Sequence, residues 1–303
     1  MAAEQVEGPA LLAGNDDRVL KPTRVISVAI IPVLVAAFVI LYFFPSKTKE
    51  LWAWTIPSEM TAMFMGGGYL AGAWFFFRAV TTDEGHRVTP GLLAISVFTL
   101  GLELATLLHW ETFNHGHISF WAWFFLYTVT PVLLPILWYN NRRTDPGRPK
   151  PDDVVVPNLL RAMMTIGGVV VLAFALVMFL RPSIFAAKAP ACRSCEGYWP
   201  WKLSPLTVRV LAAFFSFPAM AWALFAFDAR WSSFEFPMQT SSIGLALILI
   251  ASVRAWGEFK TERDAWLYVG ALGLAFLWLT GVQVAMWLRS PARKLPAAAA
   301  SEA

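Results

Sequence analysis

The chain has 303 residues, of which 57% are hydrophobic and only 15% carry a charge. Soluble domains carry about 25% charged residues, so this composition excludes an ordinary water-soluble enzyme. The formal net charge of +4 does not indicate a nucleic-acid partner, because the Lys and Arg residues cluster in short connections beside apolar segments.

Eight apolar segments are long enough to cross a bilayer, which takes about 20 helical residues. They comprise residues 25–44, 60–77, 90–110, 119–138, 163–180, 206–227, 238–253 and 265–288. Ser119 is the predicted N-cap of the fourth span. In the second span, the run Gly66-Gly67-Gly68 favours close helix contact and a place inside the bundle. The sequence therefore predicts an all-α integral membrane protein with eight transmembrane helices.

Polar segments divide the chain into two groups of spans. Residues 1–24 form a predicted cytoplasmic tail, which is polar, mobile and without a secretory signal. A first four-helix half covers residues 25–140 and a second covers residues 159–290. The Pro-rich segment 141–158 is the predicted cytoplasmic linker between them, and residues 291–303 form a second cytoplasmic tail.

The distribution of positive charge predicts the orientation. If the N-terminus is inside, the inner connections carry more Lys and Arg than the outer ones, with Arg142 and Arg143 in the linker as one example. This bias favours a multi-pass protein of the plasma membrane with both termini in the cytoplasm. The turn between the third and fourth spans then faces the extracytoplasmic side.

Aromatic residues recur at nearly constant offsets in the two halves. The matched positions are Trp52 with Trp199, Trp54 with Trp201, Trp110 with Trp256, and Phe113 with Phe259, each pair 146 or 147 positions apart. The ends of the first and fifth spans, Pro45 and Pro182, are 137 positions apart. This pattern predicts a duplication that gives two parallel four-helix halves. The alternative is that Trp gathers at any membrane interface.

Three of the four histidines lie in the turn after the third span, at His109, His115 and His117, together with Glu111. Histidine and carboxylate are usual ligands of first-row metals, and a catalytic site needs about three of them. These four residues are therefore candidate metal ligands, and His109 with His117 is the candidate axial pair for a haem. A polar turn at the membrane surface and a metal-free ligand site remain open, so no cofactor is assigned beyond a metal ion or haem.

Glu103 lies inside the third span, where a carboxyl group is costly and is a candidate functional group. A structural, hydrogen-bonded glutamate is the alternative. Several tryptophans at the predicted outer boundary are typical of an aromatic belt and are also suited to line an outer cavity. The predicted ligand-binding residues are Glu103, His109, Glu111, Trp52, Trp54, Trp121 and Trp123.

The two cysteines, Cys192 and Cys195, form a C-x-x-C sequence. No second pair completes a zinc site, and no histidine follows for haem attachment. A place on the predicted outer face favours a local disulfide, with a redox-active thiol pair as the alternative.

No sequence motif names a reaction. We expect binding or transport of a small solute or lipid-like molecule from the extracytoplasmic face. The alternatives are a membrane enzyme or redox subunit with a His-ligated metal or haem, and a structural or assembly subunit of a membrane complex. The expected partners are membrane lipids and other membrane proteins or further copies of this chain, and not nucleic acid.

The predicted orientation can be tested with cysteine labelling in intact cells. In a chain whose native cysteines are replaced by serine, His115→Cys should react with a membrane-impermeant maleimide, because the turn is predicted to face outward. The control variant Arg148→Cys, in the linker, should react only after permeabilisation. If position 115 reacted only after permeabilisation, the turn would face the cytoplasm and the predicted orientation would be wrong.

Overall fold

The computed structural model describes residues 16–150, 153–186 and 197–290. The predicted disulfide between Cys192 and Cys195 therefore lies outside the described residues. The described part of the chain is helical, and its only strand-like pairing consists of two isolated bridges.

In the described ranges, the α-helices are eight long ones and one short one. They are α1 (Lys21–Phe43), the short α2 (Thr48–Leu51), α3 (Glu59–Thr81), α4 (Thr89–Leu108), α5 (Ile118–Arg142), α6 (Asn158–Leu180), α7 (Pro205–Ala223), α8 (Trp231–Arg254) and α9 (Glu262–Arg289). The eight long helices are each long and apolar enough to cross a membrane. This confirms the prediction of an all-α, multi-pass membrane protein with eight spans.

The ends of two helices differ from the sequence expectation. α8 begins at Trp231, well before the predicted start, because the polar residues Ser232 and Glu235 precede its apolar run and resemble a loop. The predicted N-cap of α5, Ser119, is wrong, since His117 takes this place and its ring accepts a hydrogen bond from the Ser119 N–H group. Helix N-caps are usually Ser, Thr, Asp or Asn, so sequence preference did not single out the histidine.

Four long helices form the inside of the bundle and four flank them. Among the long helices, α3, α4, α7 and α8 are the most buried. α4 packs against α7 and α3 packs against α8, while α1, α5, α6 and α9 pack on α3, α4, α7 and α8, respectively. The glycine run of α3 accounts for its central place, since Gly66 faces α1, Gly67 faces α8 and Gly68 faces the Phe214 ring of α7.

The two ends of the bundle carry different residues. The end with residues 109–117 is called the histidine end, and the opposite end, where α1 begins and α9 ends, is called the terminus end. At the terminus end, two isolated antiparallel bridges join Arg18 with Glu84 and Val155 with Arg230. Asp17 is buried, so the described part of the predicted N-terminal tail packs on the loop before α4 and is not free.

Two neighbouring glycines of α6 provide a test of the packing. A Cβ atom at Gly168 would lie 2.4 Å from the backbone nitrogen of Ala223 and 2.7 Å from the carbonyl oxygen of Ala219, whereas at Gly167 nothing lies within 4 Å. We expect Gly168→Ala to cost about 1–3 kcal/mol, since backbone atoms of α7 must move. Gly167→Ala should instead be neutral or stabilise by about 0.5–1 kcal/mol. Unfolding of both variants in detergent measures the difference, and equal stability would contradict the close contact of α6 with α7.

Candidate functional site

The three histidines of the turn do not converge on one point. Nδ1 of His117 lies 2.6 Å from the Ser119 hydroxyl, while the His115 ring packs on Trp110 with ring centroids 4.7 Å apart. In the described ranges, no three His, Cys, Asp or Glu side chains are arranged to hold a metal ion. The metal site therefore stays a prediction that this geometry does not support.

His109 pairs with an arginine of another helix. Its Nε2 atom lies 2.6 Å from Nη1 of Arg209, whose Nε atom donates to the carbonyl oxygen of Phe179 at 3.1 Å. Because a guanidinium only donates, Nε2 of His109 must accept and carries no proton. Burial and then the charge of Arg209 lower the pKa of His109. In this arrangement Nε2 is not available as a haem ligand.

The two predicted site carboxylates lie apart from the histidines. Glu103 accepts a hydrogen bond from the Thr128 hydroxyl at 3.1 Å, which joins α4 to α5. Its second oxygen, Oε2, is buried and has no hydrogen-bond partner in the described part of the chain. The side chain of Glu111 is exposed. The predicted ligand residues thus do not form one pocket.

Three of the four predicted tryptophans form one packed cluster. Trp52, Trp54 and Trp123 are 6%, 2% and 4% exposed. The Trp123 centroid lies 5.9 Å from that of Trp52 and 4.9 Å from that of Trp54. Together with Phe113, whose centroid is 5.1 Å from that of Trp54, they make the first aromatic cluster. Trp121 is 50% exposed and stays outside it.

A second aromatic cluster, which sequence reasoning only partly indicated, lies at the same end of the bundle. It consists of Trp199, Trp201, Phe259 and Tyr268. The Trp201 centroid lies 5.1 Å from that of Trp199 and from that of Tyr268. The indole N–H of Trp201 donates to the Thr61 hydroxyl at 2.8 Å, which ties this cluster to α3.

A cavity of about 300 Å³ lies in the middle of the bundle and is lined by residues of all eight long helices. Its lining is almost wholly apolar. Tyr69 and Tyr127 line it and share a hydrogen bond of 3.1 Å between their hydroxyl groups. Their rings contact the first aromatic cluster, since Trp52 lies 6.0 Å from Tyr69 and Trp123 lies 4.5 Å from Tyr127. We call this space the central cavity.

The other polar residues that line the central cavity include Thr240 of α8 and Trp222 near the end of α7. Thr240 is 4% exposed, and neither its hydroxyl nor the indole N–H of Trp222 has a hydrogen-bond partner among the described residues. α7 and α8 are joined at the terminus end, so these groups lie at depths nearer to that end than the two tyrosines. No local pattern in the sequence indicates the cavity, because its lining is spread over eight helices.

A buried polar network at the terminus end includes His86, the one histidine that was not predicted to be a functional residue. His86 is 3% exposed; its Nδ1 atom lies 2.7 Å from Asp17 and its Nε2 atom 2.8 Å from the Ser232 hydroxyl. The sequence signal was weak, since these residues are 69 and 146 positions from His86.

Nearby, Arg230 makes two hydrogen bonds of 2.7 Å to the carboxylate of Asp145 and also pairs with Asp228 at 2.7 Å. Burial by itself raises the pKa of Asp145, but the hydrogen bonds and charge of Arg230 outweigh burial and hold this pKa below its ordinary value. This ion pair joins the linker to the start of α8.

Comparison with known proteins identified no relative of this chain. No protein-family model matches the sequence, and no curated protein or solved structure matches it. The described part of the chain has room for a ligand in the central cavity and in a polar cavity beside His86 at the terminus end.

The pairing of His109 with Arg209 predicts a pH-dependent stability. Because the pKa of His109 is lowered in the folded protein, the unfolded chain binds more protons, and stability rises with pH up to about 6.5, the ordinary histidine pKa. Lowering the pH from about 7.5 to about 5.5 should therefore destabilise the wild type more than His109→Gln, which keeps an acceptor for Arg209 but does not titrate. Unfolding temperatures in detergent at both pH values measure this, and identical pH dependence would contradict it.

Proposed function

We propose that this chain is a plasma-membrane protein that binds a small lipid-like molecule in the central cavity and transports it from the extracytoplasmic face. The observation that carries the proposal is the cavity itself, about 300 Å³ in volume and lined by all eight long helices. This volume is at the lower end of ligand pockets, which span about 300–1,000 Å³. A cavity of this size suits a ring or part of a hydrocarbon chain.

The lining of the cavity supports an apolar ligand that carries a polar group. Most of the lining side chains are aliphatic or aromatic, and such cavities do not favour water. The unpartnered groups of Thr240 and Trp222 each cost about 1–3 kcal/mol if they stay unsatisfied. A carbonyl or hydroxyl oxygen on the ligand can accept a hydrogen bond from either group. The ligand then places its polar group near the terminus end and its apolar part in the middle of the bundle.

The first aromatic cluster supports entry from the histidine end. Trp52 and Trp123 contact the two tyrosines of the cavity and so lie between the cavity and that end of the bundle. The indole N–H groups of Trp52 and Trp54 are buried without a partner in the described ranges. They are suited to bind a polar group as it passes. With both termini in the cytoplasm, this entry faces the extracytoplasmic side.

Repeated contacts support a duplicated architecture of two parallel four-helix halves. Five ring contacts of the first aromatic cluster have a counterpart in the second aromatic cluster. The contacts in the first are Trp52–Trp54, Trp54–Phe113, Trp54–Trp123, Trp52–Trp123 and Phe113–Trp123. Their counterparts, in the same order, are Trp199–Trp201, Trp201–Phe259, Trp201–Tyr268, Trp199–Tyr268 and Phe259–Tyr268. At the terminus end, the bridge of Arg18 with Glu84 corresponds to that of Val155 with Arg230. The second bridge lies at the offset of 137 found for Pro45 and Pro182 and at the offset of 146 found for the aromatic residues. Chance gathering of Trp at an interface does not explain the backbone bridges.

The duplication supports a binding role for the central cavity. The contacts of α3 with α8 and of α4 with α7 are the most extensive contacts between the two proposed halves, and all four helices line the central cavity. Transporters built from repeats hold their substrates near the middle of the membrane, at the interface between the repeats. The cavity has that position in this chain.

Glu103 favours a second candidate function, that of an assembly subunit. Its Oε2 atom has no partner among the described residues, and Leu100, Leu104 and Leu107 of the same helix are exposed. A carboxyl group at this depth needs a polar partner. A helix of another membrane protein or of a second copy of this chain can supply one.

Filling the central cavity tests the leading proposal. Ala275 of α9 lines the cavity, whereas its neighbour Leu274 is 72% exposed. We expect Ala275→Phe to weaken binding of a dansyl-labelled fatty acid by at least about tenfold, or 1.4 kcal/mol, because the ring occupies ligand space. Leu274→Phe, whose side chain is exposed on the outside of the bundle, should bind like the wild type.

Fluorescence titration of the purified protein in detergent measures both affinities. Equal binding by Ala275→Phe and the wild type would exclude the central cavity as the site. A wild type that binds no fatty acid and purifies with a fixed partner chain would favour the assembly subunit.

A further inference from the structure

A second cavity, of about 580 Å³, lies at the terminus end and differs in chemistry from the central cavity. The loop before α4, the linker, the first turns of α8 and the last turns of α9 enclose it. Its lining includes the charged residues Glu84, Arg87, Lys150, Asp153 and Glu235. His86 and Ser232 also line it, so the polar network described above is accessible from this space.

Asp17, His86 and Ser232 form a continuous hydrogen-bonded chain. Asp17 accepts from the backbone N–H of His86 at 3.0 Å, and its other oxygen lies 2.7 Å from Nδ1 of the ring. Nε2 on the opposite side of the ring lies 2.8 Å from Oγ of Ser232. A carboxylate on Nδ1 keeps the proton on that nitrogen, so Nε2 can accept the proton of the serine. These are the contacts by which a carboxylate and a histidine activate a serine nucleophile.

The burial of the three residues fits the same roles. Asp17 is 8% exposed and His86 is 3% exposed, so the carboxylate and the ring have fixed orientations. Ser232 is only partly buried and lies on the cavity wall. It also lies in the first turn of α8, where the helix dipole favours negative charge. The orienting groups are thus enclosed and the hydroxyl is accessible.

We propose that Ser232, His86 and Asp17 form a catalytic triad that hydrolyses carboxylic esters in the terminus-end cavity. Oγ of Ser232 attacks the ester carbonyl carbon, and its proton passes to Nε2 of His86. The C–O bond of the ester then breaks, the leaving alkoxide takes this proton, and the acyl group remains on Ser232. A water molecule attacks the acyl carbon, gives one proton to Nε2, and releases the carboxylic acid as Ser232 regains its proton. Asp17 acts as a positioning residue.

Asp153 controls whether the serine is active. Its Oδ2 atom lies 2.6 Å from Oγ of Ser232 and accepts a hydrogen bond from this hydroxyl group. While this bond exists, the hydroxyl proton of Ser232 points to Asp153 and is not available to Nε2 of His86. A substrate that displaces Asp153 leaves Nε2 as the acceptor. The described arrangement is therefore a resting state that the arrival of substrate activates.

The walls of the cavity favour an ester with an apolar acyl chain. Val284 and Trp287 of α9 line the cavity and are also 47% and 57% exposed on a membrane-length helix, so the cavity borders the lipid. The substrate class is thus an acyl ester of the adjoining membrane leaflet.

A fluorophosphonate probe tests this proposal on the full-length protein in detergent, independently of fatty-acid binding in the central cavity. We expect the wild type to be labelled, with the modified peptide containing Ser232 by mass spectrometry. Ser232→Ala should lose the label, and His86→Gln and Asp17→Asn should be labelled at least about tenfold more slowly. Ser242→Ala, which removes another serine of the cavity lining, is the matched control and should be labelled like the wild type.

Asp153→Ala separates catalysis from a purely structural network. If Asp153 restrains the serine, this variant should be labelled faster than the wild type and should hydrolyse p-nitrophenyl octanoate faster. If the four polar residues only brace the tail, the loop and the linker, Asp153→Ala should lose stability without any gain in labelling, which would overturn the proposal. Failure of the probe to modify Ser232 in both the wild type and Asp153→Ala would also overturn it, whatever the folding of the other variants.

Discussion

Close contact of α3 with three other helices is the constraint on which the rest of the bundle depends. In lipid, apolar helices gain little from leaving their solvent, so their association requires van der Waals contact between closely approaching backbones. Gly66, Gly67 and Gly68 provide this contact, because they face α1, α8 and α7 at distances that leave little room for a side chain. Once these neighbours are placed, α4 and α6 pack on α7, α9 packs on α8, and α5 packs on α4.

The two ends of the bundle are held by different forces, and the central cavity lies between them. At the histidine end, aromatic rings in edge-to-face contact dominate, and each such pair adds about 0.5–1.5 kcal/mol beyond its buried area. At the terminus end, buried ion pairs such as Arg230 with Asp145 join the linker to α8. These pairs are directional, and losing one partner leaves a buried charge. Because contacts at both ends hold the helices together, the apolar middle of the bundle can contain a cavity while the helices keep their arrangement.

The sequence predicts the number of helices well and the site poorly, for physical reasons. Each span is a local property, since its apolar length follows from the bilayer thickness. By contrast, His109 meets Arg209, which is 100 positions away, and His86 meets Ser232 across 146 positions. A dense local group of histidines predicts a metal site only if the chain brings the side chains together. Here His109 contacts Arg209, His117 contacts Ser119, and the His115 ring packs on Trp110. The recurrence of Trp52 and its neighbours in the sequence is informative because similar ring contacts occur in both aromatic clusters.

The tyrosine pair of the central cavity has a consequence for how a ligand lies in it. At the offsets of the proposed duplication, the counterparts of Tyr69 and Tyr127 are Ser216 and Leu272, neither of which can reproduce the pair of phenol groups. Two parallel halves are related by an axis along the membrane normal, so equal halves would give a guest that lies across this axis two equivalent orientations. Since only one half here carries the phenols, these two orientations differ in energy, and a guest with unlike ends adopts one of them.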